Sequence, residues 1–200
     1  MNALLQGMGV GAGLIIAIGA QNAFVLTQGI RKQHHWLIAL LCSLSDMLLI
    51  FCGVAGLGAF VAAHPALQRY AAWAGAIYLF WLGLKALLDT VAKKHFRTEH
   101  GISLTYRAAI LTTLALTFLN PHVYIDTILL LGSMGGQYPL PERYIFALGA
   151  SLSSFLWFFV LSFGGTVLAP LFLNSASWKV LNIVVCTIMW GIAGQLLTAF

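Results

Sequence analysis

Residues 39–48 read Ala39-Leu40-Leu41-Cys42-Ser43-Leu44-Ser45-Asp46-Met47-Leu48, an apolar stretch with one carboxylate inside it. A charged side chain at the centre of a bilayer costs about 2.5 to 3.5 kcal/mol on insertion scales. A second acid, Asp126, lies in a comparable setting at the end of Asn120-Pro121-His122-Val123-Tyr124-Ile125-Asp126. Because such acids are costly, their presence is typical of a pathway for a cation.

The composition around these acids is that of a membrane protein. Of the 200 residues, 60% are apolar and 8% are charged, which is too few charges to cover a water-soluble domain. Crossing a hydrocarbon core of ~30 Å takes about 20 helical residues, and backbone in lipid must satisfy its own hydrogen bonds. The sequence therefore predicts a single all-α integral membrane domain over residues 1–200, with six transmembrane helices. The apolar runs cover roughly residues 3–26, 37–63, 71–88, 108–134, 144–168 and 180–200.

Cysteines and the N-terminus give no sign of a metal site or of processing. Cys42, Cys52 and Cys186 lie inside apolar runs, and no pair has the C-x-x-C spacing of a zinc or redox site. We expect no metal, no cofactor and no enzymatic activity. The N-terminus lacks the basic region and cleavage site of a signal peptide, so we expect the first apolar run to remain as a helix.

The charges are distributed unevenly along the chain. In a six-helix arrangement, one side carries seven basic residues and the other carries Arg69 and Arg143. The seven are Arg31, Lys32, Lys93, Lys94, Arg97, Arg107 and Lys179. The positive-inside rule makes their side cytoplasmic, with a basic cytoplasmic loop at residues 91–107 and both termini outside. The net charge of +5 thus indicates topology rather than nucleic-acid binding.

The opening stretch has a counterpart in the second half of the chain. Residues 147–156 match residues 39–48 at six of ten positions, at an offset of 108. Residues 81–88 can be aligned with residues 190–197, and Gly19-Ala20-Gln21-Asn22 with Leu119-Asn120-Pro121-His122. Two copies with three spans each must insert in opposite senses, so the sequence predicts two inverted three-helix repeats, residues 1–90 and 108–200. Transporters with this architecture bind substrate near the midplane, where corresponding helices are broken.

The predicted breaks lie in the first and fourth helices. Asn favours the N-cap and Pro the first helical position, so Asn120-Pro121 predicts a helix that restarts inside the membrane. Its free N–H groups would suit a substrate carboxylate. The alternative is a proline kink satisfied by a neighbour. The matching break at residues 19–22 would place Gln21 and Asn22 where they can hydrogen-bond an amino-acid backbone.

Three further residues of the fourth helix are candidates for the site. His122 and Asp126 are four residues apart and share a face of a helix, so His122 is either a proton relay or a satisfied core histidine. Tyr124 either packs with its hydroxyl tied to a neighbour or lines the cavity.

The two acids also have a structural interpretation, in which each pairs with a buried Ser, Asn or Lys. Lys85 is near membrane depth but can pair with Asp89. We therefore expect both acids to lack a fixed counter-ion. Such acids are protonated or wait for a mobile cation.

From about residue 7 to residue 197 the chain resembles the LysE family of bacterial amino-acid exporters. The resemblance rests on Gly19-Ala20-Gln21-Asn22, Gln28-Gly29-Ile30-Arg31, Ser45-Asp46 and Leu119-Asn120-Pro121-His122-Val123-Tyr124-Ile125-Asp126. It implies a multi-pass protein of the bacterial cytoplasmic (inner) membrane that exports L-arginine, or L-lysine, using the proton gradient. The expected partners are this small-molecule substrate, protons and the lipid bilayer. A homo-oligomer is left open.

This function agrees with the residues. We expect Asp46 and Asp126 to bind the cation or a proton, while Gln21, Asn22, Asn120 and the helix start at Pro121 hold the amino-acid backbone. Two alternatives remain, an exporter of neutral amino acids and a membrane thiol-redox carrier. The second needs cysteines in register across the repeats, but Cys42 aligns with Ala150 and Cys52 with Val160. A scaffold that transports nothing leaves the acids unexplained.

The charge asymmetry predicts the topology of the chain. In a variant without native cysteines, single cysteines at Asn2 and Thr98 should react with impermeant reagents from opposite sides of the membrane, Asn2 from outside. Labelling of intact cells and of inverted vesicles measures this. Reaction of both positions from one side would contradict the six-helix prediction.

Overall fold

The computed structural model describes residues 2–16, 19–57, 65–91, 104–173 and 175–199, and within these ranges all regular structure is helical. The prediction of an all-α protein is confirmed at this level. The α-helices are α1 (Asn2–Ile15), α2 (Ala20–Arg31), α3 (His35–Cys52), α4 (Pro65–Val91), α5 (Tyr106–Phe118), α6 (Pro121–Val123), α7 (Gly132–Gly136), α8 (Glu142–Leu168) and α9 (Ser175–Ala199). The π-helical segment π1 (Gly53–Leu57) continues α3, π2 (Tyr124–Leu131) joins α6 to α7, and a 3-10 segment (Ala169–Leu173) follows α8.

Two continuous helices in the described ranges are long and apolar enough to cross a membrane. They are His35–Leu57 with 23 residues and Glu142–Phe172 with 31 residues. Helices α1 and α2 together qualify as a third, broken span whose two parts meet at 83°. The apolar parts of α4, α5 and α9 are shorter and cover Ala76–Leu88, Tyr106–Phe118 and Lys179–Gln195. The six-span arrangement therefore remains a prediction.

A helix break occurs at each of the two positions expected from sequence. Helix α2 begins after Gly19, which is extended (φ −130°, ψ 173°) and offers no side chain as a cap. Helix α6 begins at Pro121, and the Asn120 Oδ1 atom accepts a hydrogen bond from the His122 N–H at 3.2 Å. This is the capping geometry that an Asn-Pro pair favours.

Helix α8 is the central element of the packing. It contacts α1, α2 and α3, while α4 packs against α9 and α5 against α3. Its approach to α1 is close because glycines face the opposing backbone. A Cβ atom on Gly7 would meet the Phe146 carbonyl oxygen, and one on Gly149 would meet the Leu4 carbonyl oxygen. Small residues that allow such contact are a common means of helix association in membranes.

Two apolar clusters lie on either side of the polar residues of α3. One contains Phe24, Ile38 and Leu116, and the other contains Ile50, Leu131 and Phe146. Asp46 lies between Ile38 and Ile50 on the same helix. Asp46 therefore lies between the two parts of α3 that contribute to these clusters.

The close approach of α1 and α8 predicts different effects of alanine substitution at two nearby glycines. Gly7→Ala places a methyl group against the Phe146 backbone, and overpacking of this kind costs about 1 to 3 kcal/mol. Gly9→Ala is the matched control, because beyond the local backbone of α1 no heavy atom of the described residues lies within 4 Å of its Cβ position. We expect Gly7→Ala to lower the melting temperature in detergent and Gly9→Ala to leave it unchanged or raise it, since alanine favours helix. Equal melting temperatures would contradict the packing described here.

Candidate functional site

A cavity of about 250 Å³ gathers most of the predicted site residues. It is bounded by α2, α3, the break before α6, π2 and α9, with apolar walls from residues such as Leu14 and Phe158. Of the predicted residues, those that line it are Gln21, Asn22, Asp46, Asn120, His122 and Asp126. The two halves of the chain thus contribute polar groups to one volume.

Asp46 is buried in the middle of α3, with 4% of its surface exposed. The Ser154 hydroxyl of α8 donates a hydrogen bond to the Asp46 Oδ2 atom at 2.8 Å. Asp46 thus has the buried serine partner that the structural interpretation considered, although a neutral hydroxyl is not a counter-ion. Within the described part of the chain, neither Asp46 nor Asp126 pairs with a lysine or arginine. A charge on either acid thus has no lysine or arginine there to balance it, and the basic side chain that interacts with Asp126 is His122.

Asp126 and His122 face the same cavity from π2 and α6. Among the residues that the structure describes, the buried His122 Nε2 atom has no hydrogen-bond partner. Two carboxylates that share one cavity repel each other when both are ionised. A proton or a cationic ligand between Asp46 and Asp126 would remove that repulsion.

The Gln21 side chain lies at the start of α2, close to the Cys42 thiol of α3. Gln21 is 7% exposed, and its Nε2 atom has no acceptor in the described ranges. Asn22 is engaged differently, because its Nδ2 group donates to the Ile15 carbonyl oxygen at 3.0 Å. That bond satisfies a carbonyl at the end of α1 across the break, so Asn22 holds the shape of the break.

The start of α6 lacks the free amides that the sequence predicted. Pro121 has no N–H, the His122 N–H bonds the Asn120 side chain, and the Val123 N–H bonds the Asn120 carbonyl oxygen at 3.1 Å. The expectation that these amides await a substrate carboxylate is wrong for this structure. The reason is local, since Asn120 satisfies the helix start with its own acceptors.

Tyr124 is the predicted residue that the structure places apart from the cavity lining. Its hydroxyl donates to the Phe118 carbonyl oxygen at 2.7 Å and so satisfies the end of α5. Of the two interpretations of Tyr124, this contact favours packing. The side chains of Pro121 and Asp89 lie outside the described part of the chain, as do residues 92–103 of the basic loop.

Sequence reasoning missed three residues that touch the site. Gln195 of α9 and Thr127 of π2 line the cavity, and Ser154 binds Asp46. Two signals in the sequence could have pointed to these residues. Gln195 is a polar amide in an otherwise apolar helix, and Thr127 directly follows the candidate acid Asp126. Ser154 is the position that aligns with Asp46 in the repeat, which was a usable signal.

Comparison with known proteins identifies the family of this chain. Residues 12–199 match the family described as LysE type translocator. Arginine exporter protein ArgO of Klebsiella pneumoniae (strain 342) is 43% identical over 192 residues, which cover 96% of this chain and 91% of that protein. Proteins of the same name from Salmonella typhi and Shigella flexneri are 43% and 42% identical, with the same coverage. No solved structure matches the chain. With its apolar helices and this match over nearly its whole length, the chain belongs to the LysE family of translocators and is a membrane transport protein.

Proposed function

We propose that this protein exports L-arginine across the bacterial cytoplasmic membrane in exchange for protons, with L-lysine as the second candidate substrate. The observation that carries the proposal is the cavity shared by Asp46 and Asp126 in a chain with few charges. The similar proteins named arginine exporters support the choice of substrate.

Export of a cationic amino acid needs a compensating movement of charge. Moving one positive charge outward against an inside-negative potential costs about 2.3 kcal/mol per 100 mV. A proton that enters as the amino acid leaves cancels this cost. The same carboxylates can serve both steps, because each binds either a proton or the guanidinium.

The side chain of arginine suits a pair of acids. A planar guanidinium presents several N–H donors and binds carboxylates through two parallel hydrogen bonds. In the proposed cycle, the ionised pair of Asp46 and Asp126 binds the guanidinium, and one proton taken up by the pair replaces it, so that one positive charge is exchanged for another. His122, which lies beside Asp126 and has a buried ring nitrogen without a described partner, is the candidate relay for the proton.

The amino-acid end of the substrate is assigned to the start of α2. The amides at the start of α6 are occupied, whereas Gly19 offers α2 no side-chain cap and the Gln21 Nε2 donor has no described acceptor. A carboxylate there would interact favourably with the positive end of the helix dipole. Asn22 and Asn120 support the site by holding the two breaks.

An inverted repeat with six spans is the architecture we propose for this cycle. Burial along α3 and α8 follows the repeat, since Leu48 and its counterpart Leu156 are each 58% exposed. Ser43 and its counterpart Ser151 each donate to the carbonyl oxygen four residues earlier, at 2.8 Å. The Asp46–Ser154 hydrogen bond joins equivalent positions, as expected beside a two-fold axis.

The alternatives differ in what they require of the cavity. A thiol-redox carrier needs cysteines at its centre, but the described residues that line the cavity include none of Cys42, Cys52 and Cys186. An exporter of neutral amino acids would use the acids for protons alone. Competition by arginine against labelled neutral amino acids separates it from the arginine exporter.

The carboxylate mechanism predicts loss of transport without loss of stability. Asp46→Asn and Asp126→Asn keep the side-chain volume, and an asparagine at 46 still accepts from Ser154. We expect arginine–proton exchange in vesicles to fall to the level of protein-free vesicles, with an unchanged melting temperature. Glu142→Gln at the start of α8 is the control and should retain exchange.

Two outcomes would count against this mechanism. Full exchange in both asparagine variants would end it. Loss of about 1 to 3 kcal/mol of stability together with activity would favour a structural role for the acid concerned.

The assignment of the α-carboxylate predicts a preference for arginine over agmatine, which has the guanidinium and lacks the carboxylate. A hydrogen bond to a charged group contributes about 1.5 to 3 kcal/mol, or roughly ten- to a hundredfold in affinity. Gln21→Ala should therefore weaken arginine binding by about this factor and leave agmatine binding nearly unchanged. The measurement is competition against labelled arginine.

Gln28→Ala is the matched control, since Gln28 is a buried glutamine of the same helix outside the cavity lining. It should preserve the wild-type preference for arginine. Equal competition by arginine and agmatine in the wild-type protein would refute the assignment.

A further inference from the structure

Ser154 differs from the other serines around it. A serine inside a helix commonly donates its hydroxyl to the carbonyl oxygen three or four residues earlier. Ser151 donates to Ala147 and Ser153 to Ala150, both on α8. Ser154 is fully buried, yet its hydroxyl crosses to α3 and donates to the Asp46 Oδ2 atom at 2.8 Å.

Asp46 contacts both the cavity and the buried interface between α3 and α8. It lines the cavity and also accepts the bond from Ser154, which is not among the described residues that line the cavity. Ser154 therefore reaches the carboxylate without competing with a substrate for cavity space. The hydroxyl fixes one carboxylate oxygen and thereby restricts the rotation of the group.

The bond also affects the two protonation states unequally. A hydroxyl that donates to an ionised carboxylate makes a hydrogen bond about twice as strong as one between neutral groups. The titratable groups that face Asp46 are Asp126 of π2 and Cys42 of α3, with His122 of α6 on the same cavity. Helices α2, α8 and α9 contribute Gln21, Asn22, Ser154 and Gln195, which are uncharged.

We propose that Ser154 is a positioning residue for Asp46, which orients the carboxylate and sets the pH at which it exchanges its proton for the cationic substrate. This inference rests on the proposed exchange function. Because Ser154 and Asp46 occupy equivalent positions of the two repeats, a swap of repeat conformations would map their contact onto itself. With the proposed inverted repeat, we therefore expect this bond in both states of the cycle.

The test compares Ser154→Ala with Ser151→Ala, which removes a buried hydroxyl one turn earlier on the same helix. Exchange of arginine for protons in vesicles is measured across pH. In Ser154→Ala we expect the half-maximal point to move toward alkaline pH by about half to one pH unit, because the ionised form loses its donor. Ser151→Ala should keep the wild-type profile. Ser154→Cys, with a weaker donor, should lie between wild type and Ser154→Ala.

Infrared titration tests the role of Ser154 independently of transport, because it measures the protonation of Asp46 directly. The band of the protonated Asp46 carboxyl is identified by its loss in Asp46→Asn, and its pH midpoint is measured without substrate. The midpoint should move in Ser154→Ala and stay in Ser151→Ala. Equal midpoints in wild type and Ser154→Ala would overturn the role of Ser154. A shifted midpoint in a protein that does not exchange arginine would instead overturn the proposed function.

Discussion

The burial of Asp46 in α3 is the constraint on which the rest of the site depends. A carboxyl group enclosed by apolar helices is tolerated when it is protonated, or when hydrogen-bond donors or a cation lie beside its ionised form. Helix α8 supplies one donor through Ser154, and its packing against α1, α2 and α3 brings that donor into reach. Glycines at the α1–α8 contact permit the close approach. The hydrogen bond that Asp46 accepts therefore depends on how α8 packs against α3.

The two helix breaks impose a second constraint, because the backbone groups that they expose need hydrogen-bond partners. Within an uninterrupted helix the backbone groups bond to one another, whereas a break creates new helix ends whose N–H and C=O groups need partners at membrane depth. Asn22 bonds the Ile15 carbonyl oxygen, and Asn120 bonds the His122 N–H. Both asparagine side chains thus use hydrogen-bonding atoms to satisfy backbone groups at the breaks. The polar atoms left for a ligand are those of other residues, above all the carboxylates and the Gln21 amide.

Much of the candidate site could be predicted because its signals are local. An acid in an apolar stretch, as at Asp46 and Asp126, is visible without knowledge of the fold. The break at Asn120-Pro121 follows from the capping preference of Asn and the missing N–H of Pro. Gln195 was harder to predict, because one amide in a distant helix carries no sign of the cavity that it faces.

The sequence by itself determined the helical class, the apolar runs, the two acids within them and the helix breaks, since each follows from hydropathy or from neighbouring residues. Only the tertiary structure decided which groups bond to one another. Ser154 lies 108 residues from Asp46 in the sequence, yet the two side chains share a hydrogen bond. The Tyr124 hydroxyl could bond to several acceptors, and the fold selects the Phe118 carbonyl oxygen. A hydrogen bond requires its partners within about 3 Å, and over such separations that distance is set by helix packing rather than by any local pattern.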